Sequence, residues 1–71
     1  MPVEYQVDYE LDGKQFVRPF DVRRKAAMAY ARKISNGDAG VAYVVTSEDN
    51  QAIGHLAYAS GALIEREGCE E

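Results

Sequence analysis

VEYQVDYELDGKQFVR, residues 3 to 18, decides the fold. Val3, Tyr5, Val7, Tyr9 and Leu11 are apolar, and Glu4, Gln6, Asp8 and Glu10 between them are polar. Period-two alternation in β-branched and aromatic residues predicts a strand with one buried face. Asp12-Gly13 then suits a type I′ hairpin turn, which needs positive φ at both positions. Lys14 to Arg18 is the return strand. A two-residue loop pairs Tyr9 with Phe16 on the buried face and puts Arg18 on that face at the sheet's end. Pro19 has no N–H for a ladder, so it ends the strand or marks an edge.

The next stretch, FDVRRKAAMAYARKIS (residues 20 to 35), changes period. Asp21 is a good N-cap. Ala27, Tyr30, Ala31 and Ile34 follow the i, i+3, i+4, i+7 spacing of a helix lying on a core. Two alanines in that stripe allow close approach to a sheet. Lys25, Ala29, Arg32 and Lys33 point away from it. Asn36-Gly37 is the stop signal, with Gly37 expected in the left-handed conformation. Val41 to Thr46 (VAYVVT) reads as a central strand, and Ser47 to Asn50 as a polar turn. Ala52 to Tyr58 is the next strand, with Gly54 marking a bulge or close backbone approach. Ala59-Ser60-Gly61 turns the chain into a short strand, Ala62 to Glu67. Residues 68 to 71 are expected to fray. The reading is one small domain, 1 to 71, of α+β class: β-β-α-β-β-β, a single antiparallel sheet with the helix across one face.

Composition excludes several chemistries. Of 71 residues 46 % are hydrophobic, which argues against disorder. Cys69 is the only cysteine and His55 the only histidine, so neither an intrachain disulfide nor zinc-finger spacing exists. A free thiol and no signal peptide fit a reducing cytoplasm. No apolar run approaches the roughly 18 residues of a membrane span. Ser35, Ser47 and Ser60 lack a nucleophile-elbow context. Cys69 sits among acids that raise a thiol pKa. The acids at 48–49 and 65–71 lack EF-hand spacing and read as turn and tail solvation. No catalytic residue, metal ligand or cofactor is expected, and the chain reads as a non-enzyme.

Charge is the unusual feature. The chain carries a net -4, yet seven of its eight basic residues lie between Lys14 and Lys33. With Asp21, residues 14 to 33 carry +6, against -4 for residues 1 to 13 and -6 for residues 34 to 71. Such a sequence predicts a bipolar fold. Arg32 and Lys33 complement the helix dipole; Arg23, Arg24 and Lys25 stand at the end where cations are unfavourable. Arg23, Arg24, Lys25, Arg32 and Lys33, together with the acidic pair Glu48 and Asp49, are therefore the candidate partner-binding residues. A protein partner is expected. The alternative is a small nucleic-acid-binding protein using the basic helix, residues 21 to 35. A homodimer is open. The tyrosines divide similarly: Tyr5, Tyr9 and Tyr30 fall on core stripes, whereas an exposed tyrosine would suit an interface.

The pattern RPFDVRRKAAMAYARKI followed by GVAYVVTSEDNQAIGHLAYASGALIERE resembles small β-β-α-β-β(-β) proteins of phages and mobile elements, including some anti-CRISPR proteins. The resemblance is one of layout and size over most of the chain. It implies a non-catalytic, stoichiometric modulator or inhibitor of a host nucleic-acid-handling complex, and it identifies no site.

Overall fold

A computed structural model describes residues 3–37 and 39–68. The element order is β1 (Val3–Leu11), β2 (Lys14–Asp21), α1 (Arg24–Ser35), β3 (Val41–Glu48), β4 (Gln51–Ala59) and β5 (Ala62–Glu67). The strands form one antiparallel sheet in the order β2-β1-β3-β4-β5. Helix α1 lies across one face, chiefly over β3 and β1. This is the expected α+β architecture, with β3 central and Pro19 on the edge strand β2.

Three hairpins share one turn chemistry. Asp12-Gly13, Asp49-Asn50 and Ser60-Gly61 all have positive φ at both positions, between 52° and 81°. That is the type I′ pattern, whose twist matches the flanking strands. Gly61 has a second reason to be glycine. Its φ is +81°, and a Cβ there would lie 3.1 Å from the Asn36 side chain.

The core forms where the alternations meet. Val7, Val44, Leu56 and Tyr58 from the sheet pack with Phe20 and with Ala27 and Ala31 from the helix. Both alanines are fully buried, so the helix backbone approaches the sheet closely. Tyr5, Tyr9, Tyr30 and Ile34 pack around this centre, half-buried. Ser35, also buried, ties the helix end to the β4–β5 turn: its hydroxyl donates to the Arg32 carbonyl and accepts the Gly61 N–H, each at 3.1 Å.

Four expectations are corrected. Asp21 does not cap the helix. It closes β2 opposite Tyr5 at φ 54°, and the helix starts at Arg24 with Arg23 in the capping position. Burial of Phe20 is the reason, because with a bulge there the chain stays in the sheet three residues longer. The Arg23 backbone N–H then donates to the Phe20 carbonyl at 2.9 Å. Consistently, β2 runs past Arg18 to Asp21. Gly37 is not left-handed; the helix closes through Asn36 N–H to the Arg32 carbonyl (3.2 Å) and Ala39 N–H to the Ile34 carbonyl (3.1 Å), and Gly40 takes the positive φ. The polar stretch from Ser47 is not all turn, since β3 continues through Glu48. The expected frayed tail is described only at Gly68; residues 69–71, Cys69 included, lie outside the described residues.

Candidate functional site

Antiparallel partners share a face, so register assigns every strand residue to the helix side or the open side. Val7 pairs with Arg18 and Val44, placing Arg18 on the helix side. Tyr9 pairs with Phe16, and Leu11 with Lys14, on the same side. Leu56 pairs with Arg66, which is therefore also on the helix side. The other five basic residues belong to α1 or its entry. Every lysine and arginine in the chain thus stands on the helix side of the sheet plane.

The open face is the converse. Glu4, Asp8 and Glu10 of β1 point there, opposite the alternation that buries Val7. Across the sheet, His55 pairs with Glu67 and Ala57 with Glu65 on the same face. Five carboxylates and no lysine or arginine therefore occupy its strand positions. Among them stand Val41, Tyr43, Val45, Ile53 and Val17. Of these, Val17, Val41, Tyr43 and Ile53 are each at least 40 % exposed. Two shallow grooves cross this face, the larger of about 660 Å3 lined by Tyr43, Ile53, His55 and Glu67. Asp8 and Tyr43 border both grooves, so Tyr43 stands on the ridge between them.

A one-residue bulge sets the composition of the open face. The Ser60-Gly61 hairpin pairs Ala59 with Ala62 and Tyr58 with Leu63; then the register slips at Ile64. Without that slip, Arg66 would stand opposite His55, and Glu65 would face the helix side. With it, Arg66 leaves the open face and two glutamates flank the imidazole. His55 Nε2 lies 3.8 Å from Glu65 Oε1 and 3.9 Å from Glu67 Oε1. The Tyr43 ring meets the imidazole edge-on at a centroid distance of 5.9 Å. A second bulge at Ile53 turns that side chain into the groove, where Gly68 packs against the Ile53 carbonyl too closely to accommodate a Cβ.

The sequence-derived candidates are distributed differently. Lys25 and Lys33 are exposed on the outer helix face. Arg23 donates from Nε to the Phe20 carbonyl at 3.2 Å, and its guanidinium lies 5.4 Å from the Phe20 ring centre. Arg32 lies 5.8 Å from the Tyr58 ring centre. Arg18, which was not a candidate, sits 5.0 Å from Tyr30 and 5.7 Å from Phe20. Three of the arginines thus lie over core aromatics, where each such contact contributes about 0.5–1 kcal/mol at exposed sites. Arg24 is half-buried at the helix start. Glu48 and Asp49 lie at the β3–β4 turn, at the end of the sheet where the helix begins. They do not join the open-face carboxylates, because Glu48 pairs with Val3 on the helix side.

On the helix side, two tyrosine hydroxyls meet. The hydroxyls of Tyr30 and Tyr9 form a hydrogen bond at 3.2 Å. The Tyr9 phenol is raised above its ordinary value of 10.0, first by hydrogen bonding with Tyr30, then by burial and the Tyr30 charge, with Arg18 opposing.

Sequence reasoning missed Tyr43, Ile53, Glu65 and Glu67 as members of one surface. The alternation around Val7 already placed Glu4, Asp8 and Glu10 opposite the core. Gly54 marked the bulge beside it at Ile53, but the bulge at Ile64, which brings in Glu65 and Glu67, leaves no comparable sequence signal. No family profile matches this chain, and neither a curated protein nor a solved structure matches it.

Proposed function

We propose that this is a non-catalytic binding protein whose open sheet face docks on a basic surface of another protein. The observation that carries the reading is the segregation of charge. Five carboxylates and no lysine or arginine surround an exposed, mainly apolar ridge centred on Tyr43. A tyrosine rimmed by charge is the composition of an interface anchor, because it brings area with little loss of conformational entropy. The face is also large enough. With extents of 34 × 23 × 17 Å, its broad side offers on the order of 800 Å2, what a standard interface takes from each partner.

Symmetry argues for a foreign partner over a second copy. A two-fold dimer places like faces together, which here sets five carboxylates against five. Joining the acidic face of one copy to the basic helix of the next is heterologous and leads to open chains. A basic groove that ordinarily holds phosphate has the complementary charge, and carboxylates held on a sheet would compete for it. That is the stoichiometric inhibition of a nucleic-acid-handling complex that the layout resemblance to phage and anti-CRISPR proteins implies.

The other reading, nucleic acid on the basic helix, has the clustering of all the lysines and arginines on one side in its favour. Against it, Arg18, Arg23 and Arg32 are engaged with rings, and strong salt-linked binding uses about 6–10 phosphate contacts. Two measurements separate the readings. Fluorescence anisotropy with single-stranded and duplex oligonucleotides at two salt concentrations should show no binding. Nuclease-treated lysate of the source cell should yield a protein partner to the wild type, and heparin should displace it. Salt-steep micromolar oligonucleotide binding would instead establish the helix reading.

A further inference from the structure

We propose that His55, Glu65 and Glu67 form a surface site for a late first-row divalent cation, zinc being the best fit. The site does not depend on what the open face docks against. Three donor atoms from two adjacent strands lie within 4.8 Å of one another. His55 Nε2 is 3.8 Å and 3.9 Å from the two carboxylate oxygens. A tetrahedral zinc with donors at about 2.0–2.1 Å separates them by about 3.4 Å. Small rotations of exposed glutamates close that difference.

Electrostatics points the same way independently. Glu65 and Glu67 are two apart on one strand, so they project side by side. The intervening Arg66 points to the other face. Among the described strand residues of the open face no lysine or arginine neutralises them. The two carboxylates carry -2, the complement of a dication. The donor set decides the metal class. One imidazole and two carboxylates suit zinc and its neighbours, whereas calcium and magnesium take six or more oxygens, protein or water. Three protein donors leave a fourth position for water, toward the groove lined by Tyr43 and Ile53.

Two consequences follow from geometry. The ion would cross-link edge strand β5, every residue of which is exposed, to β4. It would also cancel two of the five negative charges on the open face.

The test is calorimetric titration of zinc chloride into the metal-free full chain carrying Cys69→Ser, which removes the competing thiol. His55 is the only histidine, so its imidazole NMR signals report occupancy without ambiguity. The expected result is saturable 1:1 binding that shifts those signals and raises the thermal midpoint, while magnesium at equal concentration does neither. His55→Ala should weaken binding at least tenfold, and so should the pair Glu65→Gln with Glu67→Gln, with native circular dichroism in both. Absence of saturable binding, equal binding of magnesium, or binding unchanged in either variant would overturn the site.

Discussion

The two faces of this sheet are built from alternate residues of the same strands, yet they obey opposite rules. The helix side closes around Val7, Val44, Leu56 and Tyr58, none more than 3 % exposed. It holds every lysine and arginine, three of its guanidiniums resting on rings. The open side keeps Tyr43 and Ile53 more than 40 % exposed among five carboxylates. Stability is assigned to the helix side, and our proposal assigns recognition to the open one. Burying the helix stripe drives folding, whereas the open face gains nothing from folding that its exposure does not return. Substitutions should therefore separate cleanly by face.

The largest contrast lies within the helix. Ala31 is fully buried and Ala29 exposed. Ala31→Glu introduces an uncompensated buried charge and should cost about 3–5 kcal/mol, enough to unfold a domain this small. Ala29→Glu should melt within about 0.5 kcal/mol of wild type. Reversal of that order in thermal or urea melts would mean the helix is rotated on the sheet.

Next come two tyrosines on opposite faces. Tyr58 is fully buried, and its hydroxyl has no hydrogen-bond partner among the described residues. Tyr58→Phe should be neutral or stabilising by up to about 1 kcal/mol, because a buried unpaired hydroxyl is costly. Tyr43→Ala should leave stability within about 1 kcal/mol and abolish capture of the partner. A Tyr58→Phe variant that loses more than about 1 kcal/mol would show that the hydroxyl is satisfied.

The smallest effect is in the pH profile. Tyr9 has a folded pKa above its unfolded value of 10.0. Its neutral form is the one the fold favours. The stability this adds is fully present below pH 10, is lost as pH rises through the folded value, and leaves the acid range untouched. Tyrosinate absorbance should show the Tyr9 phenol titrating late in wild type and earlier in Tyr30→Phe. No change in that variant would uncouple the pair.

Legibility in the sequence followed the same division between faces. The helix side was readable because burial imposes period: Val7, Ala27 and Ala31 fell where periods of two and 3.6 placed them. Two-residue turns were readable at Asp12-Gly13, where the residue types demand positive φ. Bulges were not, except where Gly54 marked the one beside it. Phe20, Ile53 and Ile64 each slip the register by one residue, an extra residue in one strand that breaks its period of two. The slip at Phe20 moved the helix start from Asp21 to Arg24; the slip at Ile64 put Glu67, rather than Arg66, opposite His55. The expected partner site on the basic helix came from counting charge along the chain. Alternation hides the acidic face from such a count, because Glu4, Asp8 and Glu10 are interleaved with core residues.

Paired charge reversal tests the assignment of recognition to the open face most directly. One variant carries Asp8→Lys, Glu10→Lys and Glu65→Lys; the other carries Lys25→Glu and Lys33→Glu, all at surface positions. Both are compared with wild type for capture of the same partner at fixed salt, with circular dichroism confirming the fold. The expected result is loss of capture in the open-face variant alone. Loss in the helix variant alone, with capture intact after reversal of the open face, would contradict it and move recognition to the basic helix.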